Sequence, residues 1–265
     1  MLSNVFLKTL RDQRRSMVWW TTGLVAITML TVLFYPSIKD SPELDDLLGD
    51  EDSIMRAFVG DVPDLTSPEG FLNSQLYFLL APILLLVFAI SAGSGAVAGE
   101  EEKGSLDLLF SHPVRRASVV LHKLAAMIVA ILGLSFVLWL TVVVGALIVD
   151  MDIGMVRVAE ATLSAALLAS LFGALALALG CATGKRGMTI GVSGAVTVLT
   201  YFINALRPVA DAIDPARFVS PFYYYIDADP ISNGLDPVHA LAMMAATVLL
   251  ALAAVVTFER RDIAV

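Results

Sequence analysis

The sequence predicts an all-α, polytopic membrane protein with six transmembrane helices, and three observations lead there. The 265-residue chain is 58% hydrophobic and only 16% charged, with a positive mean hydropathy, a balance rarely found in soluble domains. Six stretches of 20 to 30 residues contain no Asp, Glu, Lys or Arg, and each can cross about 30 Å of hydrocarbon as a helix. The 17 Lys and Arg residues divide unevenly between the two sides that six crossings define, 12 against 5. Helices are the expected spanning element because in lipid they satisfy their own backbone hydrogen bonds.

The charge-free stretches run from Ser16 to Ile38, Gly70 to Gly99, Leu124 to Val149, Ala161 to Gly184, Gly187 to Leu206 and Pro237 to Phe258. They predict spans at about 16–38, 74–98, 122–149, 159–183, 187–206 and 238–258, in a single domain covering 1–265. Positive charge is retained on the cytoplasmic side, so the richer side, which holds both termini and the basic loop "GKRG", is expected to be cytoplasmic. The acidic residues divide the opposite way, 7 against 18, and an acidic net charge of −8 disfavours nucleic-acid binding. The expected location is the plasma membrane of a prokaryote.

Taken in order, the first element precedes span 1. Leu2, Phe6 and Leu10 recur at helical spacing, with Lys8, Arg11, Arg14 and Arg15 on other faces, which predicts an N-terminal amphipathic helix lying at the membrane interface. The apolar run that follows is about twice a usual signal-peptide core and lacks a convincing small-x-small cleavage site, so it reads as a retained span. The extracytoplasmic segment 39–70 carries three prolines and ten acidic residues and is expected to be a surface loop. Segment 150–157 is short and acidic. In segment 207–237, five prolines and the aromatic run "FVSPFYYY" predict broken or re-entrant structure at the outer interface, with an ordinary aromatic belt as the alternative. Phe218, Pro221, Phe222, Tyr223, Tyr224 and Tyr225 are the candidate outer gate. Small residues four apart, Ser91, Gly95 and Gly99 in span 2 and Gly187 and Gly191 in span 5, predict close helix packing.

The six charge-free stretches hold no acidic pair and no basic residue, and their one histidine, His239, lies at a terminus of the sixth, so nothing at depth is expected to activate a hydroxyl. His112, His122 and His239 do not fall at zinc-ligand spacing with each other or with Cys181. "LGCATGKRG" imitates a phosphate-binding loop, but Leu179 stands where its first glycine belongs and Arg186 where its magnesium-binding hydroxyl belongs. No catalytic, cofactor-binding or metal-binding residue is therefore expected in this chain.

The one charged interruption with internal design is "GEEEKGSLDLLFSHPVRR", within the cytoplasmic segment 99–118. Ser105 suits an N-cap, Asp107 suits the first turn, and Leu106, Leu109 and Phe110 form an apolar face until Pro113 ends the helix. A short helix with an exposed apolar face fits either the lipid surface or a protein partner. Glu100, Glu101 and Glu102 beside it are poor neighbours for anionic headgroups and favour the protein.

That stretch resembles the G-E-x-E-[KR]-G-[ST]-L-x-x-L-L-x-x-P-[VI]-x-R signature of permease subunits of type-2 ATP-binding cassette (ABC) exporters. Six spans, cytoplasmic termini, an amphipathic N-terminal helix and a proline-aromatic segment before span 6 extend the resemblance over the whole chain. The resemblance implies that the insert is a coupling helix, docked on a separate cytoplasmic ABC ATPase present in two copies. It also implies that a second permease subunit, identical or similar, completes the pathway in the membrane lipid. The ATPase-coupling residues would be Glu100, Glu101, Glu102, Lys103, Gly104, Ser105, Leu106, Asp107, Leu108, Leu109, Phe110, Pro113 and Arg115. The glutamates would form a polar hinge, Gly104 the turn, and Leu106, Leu108, Leu109 and Phe110 the docking surface, while His112 replaces a commonly apolar residue. ATP and Mg would be bound by the partner ATPase. A membrane scaffold or sensor, or a small channel, is the alternative reading of a six-span chain without chemistry of its own.

Overall fold

The computed structural model describes residues 5–39, 67–104, 106, 115–206 and 217–261. Among these residues there are helices and no strand, and six helical stretches are long and apolar enough to cross a membrane. They are built from α1 (Val5–Leu33) continued by α2 (Tyr35–Lys39), α3 (Pro68–Leu72) and α4 (Leu80–Ala96) with a π turn (Asn73–Tyr77) between them, α6 (Arg116–Ile148), α7 (Met155–Thr183), α8 (Arg186–Ala205) and α10 (Pro237–Arg260). Two short helices lie at opposite ends of the bundle, α5 (Ala98–Glu102) and α9 (Pro221–Ile226).

Helix α7 is the centre. It is the most buried span and packs chiefly against α4, α10 and α6, whereas α1 lies mainly along α6. Helices α4 and α7 approach closely, where a Cβ on Gly93 would overlap the Gly173 carbonyl oxygen and one on Gly173 would stand 3.2 Å from Ala89 Cβ. In lipid, tight helix association depends on such bare backbone contacts. The expected small-residue pair of span 5 does no such work here, since Cβ atoms at Gly187 and Gly191 would have nothing within 4 Å.

Two elements depart from the expectation. The amphipathic turns before span 1 do not form a separate interfacial helix; from Val5 they continue into the span as one 29-residue helix. No proline or glycine occurs before Gly23 to interrupt it. Span 2 is broken instead of uniform. Ser67 Oγ caps α3 by accepting from Gly70 N at 3.1 Å, and the chain then widens into the π turn, where Phe78 N donates to Asn73 O at 2.7 Å. Leu79, at φ −135° and ψ −48°, precedes α4, and Pro82 supplies no N–H to the first turn of the resumed helix.

The segment before span 6 is divided at its prolines. Residues 217–219 form a tight turn, Pro221 starts the six-residue α9, and turns containing Asp229 (φ 35°) and Gly234 (φ 90°) lead to α10.

Candidate functional site

The two ends of the bundle are held by different chemistry. At the end richer in Lys and Arg, α4 passes through Val97 (φ −114°) into α5, which carries Glu100, Glu101 and Glu102 in one turn. Each carboxylate takes a partner from a different span. Glu100 Oε2 pairs with Lys123 Nζ of α6 at 2.5 Å, and Lys123 also donates to the Ala96 carbonyl. Glu101 Oε1 pairs with Arg261, one residue beyond α10. Glu102 Oε1 accepts the backbone N–H of Arg186, the first residue of α8, at 2.8 Å.

These pairs are extended into a ring. Arg261 Nη1 donates to the Cys181 carbonyl at 3.1 Å, which adds the end of α7. Arg116, at the start of α6, donates to the Arg261 carbonyl at 2.7 Å and lies over the Phe258 ring at 5.9 Å. The guanidinium of Arg261 fits because residue 184 is a glycine: its left-handed φ of 65° closes α7, and a Cβ there would collide with Arg261 and stand 2.7 Å from Glu101 Oε1. Spans 2, 3, 4, 5 and 6 thus meet in one clasp. Lys123 is only 1% exposed, a buried cation whose stability depends on Glu100.

The sequence-expected coupling residues do not share one environment. Glu100, Glu101 and Glu102 are engaged with their own chain. Lys103 is exposed, and Gly104 takes the left-handed φ of 65° that a sharp turn needs, its N–H bonded to the Glu101 carbonyl at 2.9 Å. Leu106 is 1% exposed and belongs to the hydrophobic core. Arg115 is exposed. Ser105, Asp107, Leu108, Leu109, Phe110 and Pro113 lie outside the described residues. Sequence reasoning missed Lys123, Arg186 and Arg261 as partners of the glutamates, although their place at the ends of other spans on the same side was a signal.

At the opposite end, the candidate gate residues divide into anchors and rim. Phe222 and Tyr225 are buried. Phe222 packs on Phe172 (ring centroids 5.8 Å) and edge-on to Tyr201 (5.5 Å). The Tyr225 hydroxyl donates to the Tyr77 carbonyl at 2.5 Å, in the break of span 2, while Tyr77 Oη and Thr162 Oγ1 share a hydrogen bond at 2.7 Å. Burial raises the Tyr225 hydroxyl well above the ordinary tyrosine value of 10.0 and keeps it a donor. Ser220 Oγ donates to Thr200 O at 2.7 Å, bringing in α8, and Pro221 begins α9. Phe218, Tyr223 and Tyr224 form the rim with Arg217, whose guanidinium lies 4.7 Å over Phe218, and with His239, 5.5 and 5.3 Å from the two tyrosine rings.

The N-cap of α10 is also at this end. Asp236 Oδ1 accepts from Val238 N at 2.7 Å and His239 N at 3.3 Å, and these donors hold its carboxyl below the ordinary aspartate value of 3.8. The cap's contribution is therefore present above 3.8 and lost as pH falls through the lowered value. Thermal unfolding in detergent is expected to show an acid-side loss of stability that Asp236→Asn reduces, because asparagine caps without titrating. Among the described residues no group of three or more His, Cys, Asp or Glu is placed to hold a metal.

The family model for ABC-2 family transporter proteins matches residues 3–263, essentially the whole chain. No curated protein matches the sequence.

Proposed function

Because the chain belongs to the ABC-2 transporter family, we propose that it is the permease subunit of an ATP-driven exporter in a prokaryotic plasma membrane. Two copies, or one copy and a similar subunit, enclose the pathway. Two ABC ATPase subunits dock at the basic end, which faces the cytoplasm and carries both chain ends. ATP and Mg are bound by those subunits, and this chain supplies the moving walls. Its apolar spans suit a hydrophobic or amphipathic substrate better than a bare ion.

The clasp is the observation that supports this reading. The family's docking helix is expected immediately after α5, so a push on residues 106–115 is delivered to the three glutamates. Glu100 passes it to α6, Glu101 to the end of α10 and Glu102 to the start of α8. Rigid helices then carry the displacement across the membrane, where the aromatic anchors of α9 separate. The work required of this chain is mechanical.

Leu109 and Phe110 are the residues to test, since Leu106 is committed to the core. Leu109→Asp with Phe110→Asp is expected to reduce co-purification of the ATPase by roughly tenfold or more while the permease remains folded in detergent. A complex that retains its ATPase and its substrate-stimulated hydrolysis would overturn the docking role. A purified wild-type assembly with no ATPase would overturn the transporter reading and leave the scaffold or channel.

A further inference from the structure

The basic residues at the clasp end have two fates. Lys123, Arg116, Arg186 and Arg261 take part in contacts within the protein. On α1, by contrast, Arg11, Arg14 and Arg15 are exposed. They recur at i, i+3 and i+4, so they share one side of the helix. That side continues into Val18 and Trp19, 63% and 78% exposed. Farther along the same helix Leu24, Thr28 and Val32 are buried.

The level of this stripe follows from packing. Met17 Cε would lie 3.9 Å from a Cβ on Gly133, and Val32 is tight against Gly145, so α1 and α6 run side by side in the same direction. Helix α6 ends at Ile148, and hydrocarbon of about 30 Å takes about 20 residues of helix. The other hydrocarbon edge then falls near Val129 on α6 and, by the Met17–Gly133 register, near Gln13 on α1. Arg11, Arg14 and Arg15 therefore sit at headgroup depth, with Trp19 one turn inside it. Trp20 is fixed there by an edge-on contact with Phe88, centroids 5.9 Å apart. Asp12, also exposed, offsets one of the charges and leaves the patch positive.

We propose that Arg11, Arg14 and Arg15 bind the phosphates of anionic phospholipids in the leaflet at the basic end, with acyl chains lying along Val18 and Trp19. Guanidinium forks match phosphate oxygens in pairs, and a continuous helix presents them in fixed register to a bilayer surface. A topogenic signal alone would need neither the shared face nor the depth. This inference rests on membrane insertion of the chain and is independent of the transporter reading.

The test uses the full chain carrying Trp139→Phe, which leaves Trp19 and Trp20 as the only tryptophans, reconstituted in phosphatidylcholine vesicles. Brominated phosphatidylglycerol is expected to quench their fluorescence about 3- to 10-fold more effectively than brominated phosphatidylcholine at equal mole fraction. The preference should disappear in Arg11→Gln/Arg14→Gln/Arg15→Gln. Because that variant can insert wrongly, the unmodified arginines are also titrated with salt, which should lower the preference by screening. Equal quenching by the two lipids, or a preference insensitive to both salt and the triple substitution, would overturn the proposal.

Discussion

Glu100→Gln is expected to destabilise the protein by about 3 to 5 kcal/mol, because it leaves the buried Lys123 ammonium without its counter-charge. The glutamine can still offer an oxygen at the same place, and the Ala96 carbonyl still accepts from Lys123, yet neither neutralises the cation. Lys123→Met removes the charge instead and keeps an apolar chain of similar length. The double substitution Glu100→Gln/Lys123→Met should therefore recover much of what Glu100→Gln loses, a strong coupling in a double-mutant cycle. Thermal unfolding in detergent provides the measurement. Additive losses would mean that the pair does not hold α5 to α6. If the cycle shows coupling, the stable double variant becomes the useful reagent: it should fold, yet transmit ATPase docking to span 3 poorly.

At the other end, Phe222→Ala should cost about 3 to 5 kcal/mol by removing a buried ring from between Phe172 and Tyr201. Tyr225→Phe keeps its ring and loses only the hydrogen bond to Tyr77 O, so about 1 kcal/mol is expected. The contrast separates packing from the polar link to the span 2 break. Rim substitutions such as Phe218→Ala, on an exposed residue, should change stability little. The same unfolding experiment checks all three, and an equal loss at residues 218 and 222 would contradict the division into anchors and rim.

Six spans were legible because charge is costly in hydrocarbon, so uninterrupted apolar runs mark where the membrane must be. Their true lengths were not. Helix α1 begins at Val5 and α6 at Arg116, since a helix continues through the headgroup region wherever no residue breaks it, and polar side chains there conceal it. The break in span 2 was not legible, because a widened turn over Asn73–Tyr77 leaves no compositional mark. The glutamate run was legible as a charged cluster between two apolar runs. Its pairings were not, since Glu101 and Arg261 are separated by 160 residues and meet only after five helices have packed. The burial of Leu106 escaped for the same reason: amphipathic spacing identifies an apolar face without saying what covers it.

The clasp also bears on how the chain is made. Glu100 can meet Lys123 as soon as span 3 is inserted, and Glu102 can take the Arg186 N–H once span 5 begins. Glu101 and the Cys181 carbonyl must wait for Arg261, which follows span 6. Until then a carboxylate and a carbonyl at the bundle's base have no share of that guanidinium, and the ends of spans 2 and 4 are not fastened through it. Closure of the ring therefore requires spans 2 to 6 to be in place together, a built-in mark of late assembly that a chain lacking span 6 cannot acquire.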